Sequence, residues 1–168
     1  HEYPLIHAER RAFRIEEKPL TLDWAEKNIR LVSPGYVFPG PYRAKPWQRE
    51  IVNAWHYWNN VYEIGAVQIG KSVNCDICMY YAMTMLGING MVAYSESATV
   101  ESVFNLRIKD MIKNNPCLFN NWTGKDDDLT TANLKLKNCL WKVASAQNKN
   151  DLATFSAALC IGSEVAKW

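Results

Sequence analysis

The chain has 168 residues, a formal charge of +2 and nearly half its residues apolar. That length suits one domain, the apolar share builds a core and excludes a disordered chain, and the small charge gives no strongly basic surface. No apolar run approaches the roughly 20 residues that span a bilayer, which predicts no membrane partner. Five cysteines at irregular spacing read as reduced thiols, not as a disulfide framework.

Residues 1–45 are expected to form an N-terminal arm and linker with one short helix. The start, His1-Glu2-Tyr3-Pro4, has no signal-peptide character, and residues 1–18 read as a charged arm with Arg10, Arg11 and Arg14. Thr21 is expected to cap a helix over 22–30. Residues 33–46 hold Pro34, Gly35, Pro39, Gly40, Pro41 and Pro46, and this density of breakers predicts an extended linker.

Residues 46–168 are expected to form the core domain. A helix starts at Pro46, with Trp47, Ile51, Ala54, Trp55 and Trp58 on one apolar face. Val61 to Val67 is a β-capable run and predicts a strand. Lys71 to Leu86 reads as a buried helix stopped by Gly87. Ile88 to Tyr94 predicts the next strand. The helix after it carries Val100, Val103, Phe104, Ile108, Met111 and Ile112 as its core stripe and ends at Asn114-Asn115-Pro116. The run Asp126–Asp128 reads as a solvated loop. Leu134–Leu136 and Cys139–Val143 predict a hairpin around Lys137-Asn138, Asn148 to Asp151 a loop, and Ala157 to Ile161 a last buried strand. The alternation describes an α/β fold, a P-loop NTPase sheet of mostly parallel strands with helices on both faces.

The strongest motif is Gly65-Ala66-Val67-Gln68-Ile69-Gly70-Lys71-Ser72, between the predicted strand and helix. Its glycines let the backbone wrap phosphate oxygens, and the helix that follows adds its positive end. Gly65, Gln68, Gly70, Lys71 and Ser72 are therefore expected to hold ATP, with Lys71 on the β/γ-phosphates and Ser72 on Mg²⁺. A P-loop enzyme also needs carboxylates at the end of a neighbouring strand. The candidate is Ala158-Leu159-Cys160-Ile161-Gly162-Ser163-Glu164. Glu164 fits the catalytic position, while the neutral Ser163 stands where the metal-shell Asp is expected. Gln48 offers a donor and an acceptor that suit an adenine edge, and Trp47 or Tyr42 could stack on the base. Arg43, Arg49 and Arg107 are phosphate candidates whose ordinary alternative is solvated surface. Cys75 and Cys78 form a CxxC with no second pair to complete a zinc site, and read as buried thiols of the helix.

These residues also resemble a known family. Asp23-Trp24-Ala25-Glu26, Pro39-Gly40-Pro41-Tyr42-Arg43, Pro46-Trp47-Gln48-Arg49-Glu50 and Val67-Gln68-Ile69-Gly70-Lys71-Ser72 follow in an order similar to the large terminase subunit of tailed bacteriophages, in its lambda-like branch. The similarity continues through Arg107–Ile112 and Ala144–Asn148 to Ser163–Trp168, so it covers about residues 22–168. The resemblance implies the ATPase half of a motor that drives double-stranded viral DNA into a procapsid. It further implies a small terminase subunit and a portal as partners, a homo-oligomeric motor, a location in the host cytoplasm and transiently at the portal, and a nuclease domain beyond the ATPase. It gives Gln48 an adenine-binding role and Glu164 the catalytic one by position. Ser163 departs from the family's Asp-Glu pair, and Val67-Gln68 lack the arginine that many terminases place inside the loop. The sheet is expected to be cut after the acidic-motif strand, leaving an open edge. A nucleotide-binding P-loop module or degenerate fragment without turnover, and a P-loop ATPase of another, helicase-like lineage, stay open as alternatives.

Overall fold

The computed structural model describes residues 18–66, 68–153 and 155–165. The arginines of the N-terminal arm, Val67 of the predicted strand and the last three residues lie outside this range.

Helix α1 (Thr21–Asn28) opens the described chain. Thr21 is its first helical residue, not its cap. The hydroxyl is used elsewhere, accepting from the Trp55 indole at 3.1 Å and meeting His56 Nε2 at 2.7 Å. A two-residue ribbon follows, β1 (Arg30–Leu31) antiparallel to β2 (Gly40–Pro41). The stretch read as arm and linker contributes Leu22, Trp24, Ala25, Ile29, Tyr36 and Tyr42 to the same hydrophobic core as the later helices.

A 3₁₀ turn (Pro46–Gln48) leads into α2 (Arg49–Ala54). This helix is shorter than its apolar spacing predicts. Val52 is its buried contact, whereas Trp47 and Trp58 are exposed at 55% and 69%. Residues 61–66 form no strand either. A strand needs a neighbour for its backbone groups. None of the described strands pairs with this segment, and Tyr62 and Ile64 stand in solvent.

Helix α3 (Lys71–Tyr81) continues into a π turn (Ala82–Leu86) and stops at Gly87, whose φ of 61° is left-handed, as predicted. Then come β3 (Gly90–Tyr94) and a long helical stretch: α4 (Ser97–Val103), a π turn (Phe104–Ile108) and α5 (Lys109–Asn114). Its stripe is buried as expected at Val100, Phe104, Ile108, Met111 and Ile112. The short α6 (Pro116–Phe119) precedes the hairpin of β4 (Asn133–Lys135) and β5 (Leu140–Ser145), which closes between Leu136 and Cys139. Residues read as a loop form α7 (Lys149–Ala153), and β6 (Leu159–Gly162) ends the sheet.

The main sheet has the order β4-β5-β3-β6, with β5, β3 and β6 parallel and β4 antiparallel. Central β3 is buried along its whole length. β6 alternates half-buried and exposed residues, so it is a sheet-edge strand and not the fully buried one predicted. The mixed α/β architecture, with a mostly parallel sheet and flanking helices, is compatible with the coarse fold class read from the sequence. Among the described residues, no helix is long and apolar enough to cross a membrane.

Candidate nucleotide site

The described residues of the loop entering α3 include two positions of positive φ. Gln68 and Gly70 take left-handed φ values of 62° and 96°. The φ of Gly70 favours glycine, and a Cβ there, 2.5 Å from Gln48 Nε2, would push the Gln48 amide off the loop. Among the described residues no side chain caps the first turn of α3, so its leading N–H groups lack an intrahelical partner at the positive end of the helix. Lys71 folds over the loop and donates from Nζ to the carbonyls of Gly65 at 2.9 Å and Ala66 at 2.5 Å.

Gln48 sits against this loop, 5% exposed. Its Oε1 accepts from the Lys45 N–H at 2.8 Å, and its Nε2 donates to Asn74 Oδ1 at 2.8 Å and to the Gly70 carbonyl at 3.5 Å. Asn74 in turn donates to Glu63 Oε1 at 2.9 Å. A chain of amides thus ties the segment before the loop, the helix after it and the 3₁₀ turn together. Burial pushes the Glu63 carboxyl up, against the Asn74 bond and the Lys71 charge.

The two aromatic candidates differ. Tyr42 is buried and its hydroxyl meets no partner among the described residues. Trp47 is exposed and its indole N–H donates to the Ile69 carbonyl at 3.1 Å, which places an open ring beside the loop. Of the three arginines, Arg43 caps the Glu26 carbonyl and Arg49 pairs with Glu26 at 3.3 Å. Arg107 is half-buried and pairs with the fully buried Asp76 of α3.

Ser163 and Glu164 follow β6 at the C-terminal end of the parallel strands, where α/β sheets bind ligands. Ser163 N–H donates to the Ala93 carbonyl at 2.9 Å, and Glu164 is exposed with a left-handed φ of 57°. Cys75 and Cys78 lie on α3; burial and then the Asp76 and Glu63 carboxylates push Cys75 up to about 12, and burial and then Cys75 push Cys78 higher still, so both stay thiols. The Asp126–Asp128 run is a 3₁₀ turn tied to the surface through Lys113 and Lys135.

Sequence reasoning missed Asn74, Asp76 and Glu63. A signal existed for the first two: polar residues on a helix expected to be buried must find partners.

The family described as phage terminase large subunit gpA, ATPase domain, matches residues 37–168. No curated protein and no solved structure matches the chain. The match spans the loop, Gln48 and the end of β6, and the chain belongs to the family of phage terminase large subunit gpA ATPase domains.

Proposed function

We propose that the chain binds ATP with Mg²⁺ on Gly65–Ser72 and hydrolyses it as the motor domain of a DNA-packaging terminase. The observation that carries this reading is the loop itself. It has two left-handed residues, an uncapped helix start and a lysine reaching back over the loop. Gly65, Gln68 and Gly70 wrap the phosphates. Lys71 would exchange its two carbonyls for phosphate oxygens, and Ser72, first-turn neighbour of Lys71, would hold the metal. Glu164 would orient the attacking water from the end of β6, and Ser163 would stand at the metal shell. The base lies on the exposed Trp47 ring, and Gln48 reads its edge by releasing Asn74. Double-stranded DNA, a small terminase subunit, the portal and further copies of the motor are the partners this reading carries, in the host cytoplasm.

Turnover is the part with a second reading. A serine hydroxyl is neutral and gives the metal shell no carboxylate charge, so binding with little hydrolysis is the specific alternative that Ser163 favours.

One calorimetric series addresses the site. Lys71→Ala should weaken ATP·Mg²⁺ by about 1.5–3 kcal/mol, the worth of a hydrogen bond to a charged group. Gln48→Ala should narrow the difference between ATP and GTP. Equal affinity in wild type and Lys71→Ala would sink the loop as the triphosphate site. Turnover near about 10 s⁻¹, the median for enzymes, in the wild-type chain would remove the second reading.

A further inference from the structure

The ion pair between α3 and the π turn behind β3 has a position that core stability alone does not explain. Asp76 lies one helical turn after Ser72. Arg107 Nη2 bonds Asp76 Oδ2 and also stands 3.4 Å from the Ser72 carbonyl, so one guanidinium grips two successive turns of the helix that the loop opens. The grip is built from three directions. Tyr36 donates its hydroxyl to Asp76 Oδ2 at 2.8 Å and lays its ring under the guanidinium at 5.4 Å. Tyr80 closes the other side, its hydroxyl 3.4 Å from that of Tyr36. Gly35 permits the approach, since a Cβ there would lie 2.2 Å from the Leu106 carbonyl and 2.5 Å from Arg107 Cγ. The fit is still incomplete: Asp76 Oδ1 and Arg107 Nε are buried and have no partner among the described residues.

Charged pairs buried this deeply are seldom the most stable choice, because an apolar pair of similar volume often serves a core better. What the guanidinium adds is planarity: the two N–H groups of Nη2 point at the two acceptors at a fixed angle while the plane lies over the Tyr36 ring, which neither a freely rotating ammonium nor an apolar side chain reproduces. A π turn at the residue supplying it fits a local distortion of the kind found at functional sites.

We propose that Arg107 is a positioning residue for the nucleotide site: through the Ser72 carbonyl and Asp76 it fixes the first turn of α3, and so the place of the Ser72 hydroxyl that takes the metal. The second half of this statement rests on the reading of Gly65–Ser72 as the triphosphate site. The first half does not.

Two measurements separate them. The first needs no nucleotide. In Arg107→Lys, which keeps the charge beside Asp76 but lacks the planar pair of donors, amide hydrogen exchange at Asn74, Cys75 and Asp76 should speed up at least tenfold, with exchange in β3 and β5 unchanged. Unchanged exchange at those three amides would overturn the proposal. The second is a calorimetric titration of ATP at several Mg²⁺ concentrations on wild type, Arg107→Lys and the apolar pair Asp76→Leu/Arg107→Met, which removes both buried charges and preserves folding, as a thermal melt will show. Both variants should lose at least tenfold in Mg²⁺-dependent affinity and less than threefold in metal-free ATP affinity. A folded double variant with wild-type Mg²⁺ dependence would show a pair that only holds the core, and would overturn the proposal. Absence of ATP binding by the wild type would count against the loop as the site, while the exchange result would still decide the role of Arg107 on the helix.

Discussion

His56 carries a pH dependence that can be read from its contacts. Its Nε2 accepts the Thr21 N–H at 3.2 Å and packs its ring 4.7 Å from Trp55 and 5.3 Å from Tyr81. A nitrogen that accepts a backbone N–H is unprotonated, and burial lowers the pKa of this imidazole below its ordinary value of 6.5. The unfolded chain therefore takes up the proton first as pH falls. Stability from this group is full above about 6.5 and declines below it toward the lower folded value. Urea unfolding at a series of pH values should show that decline, and His56→Gln should flatten it. An unaltered slope in His56→Gln would assign the acid sensitivity to other groups. The same scale shows what the sequence could reveal. The family was legible because short motifs, among them Gly70-Lys71-Ser72, follow one another in a fixed order along the chain. The pairings of Asn74, Asp76 and Arg107 were not, because their partners, Gln48, Tyr36 and the Ser72 carbonyl, come from 26 to 40 residues away.

Among the elements, the β3–β5 pair has the tightest steric condition. Gly90 stands opposite Trp141, and a Cβ on it would lie 2.4 Å from two atoms of that ring. Trp141 has no room to yield, being fully buried with its indole N–H on the Ile88 carbonyl at 2.9 Å. Gly90→Ala should cost about 1–3 kcal/mol, the usual range for overpacking, measured as a shift in denaturant midpoint. A midpoint within error of wild type would mean that the ring moves. Elements with a strong internal pattern were legible before the structure: the stripe from Val100 to Ile112, the hairpin turn at Lys137-Asn138 and the Gly87 stop. Residues 61–66 were not. Their composition is β-capable, but strand formation depends on a neighbour that composition does not contain. The Trp47–Trp58 spacing misled for a related reason, since a helical period states which residues share a face and not what covers it.

At the level of the whole molecule, the charge of +2 sets an expectation for DNA. Duplex binding by this chain should be no tighter than the non-specific range of about 10⁻⁴–10⁻⁶ M at physiological salt, and should weaken steeply as salt rises. Fluorescence anisotropy at two salt concentrations checks this, and nanomolar binding that survives high salt would reveal a recognition surface of its own. The core also has a consequence for where the polypeptide can be cut. The family match begins at residue 37, yet Trp24 packs edge-on to Tyr81 at 5.5 Å and Pro19 accepts the Tyr81 hydroxyl at 2.6 Å. A fragment trimmed to the matched residues would strip the cover from the far end of α3 and remove Tyr36 from the Asp76 carboxylate at the near end. A piece that starts at or before Pro19 keeps all of these contacts, whereas a boundary drawn at residue 37 loses them together.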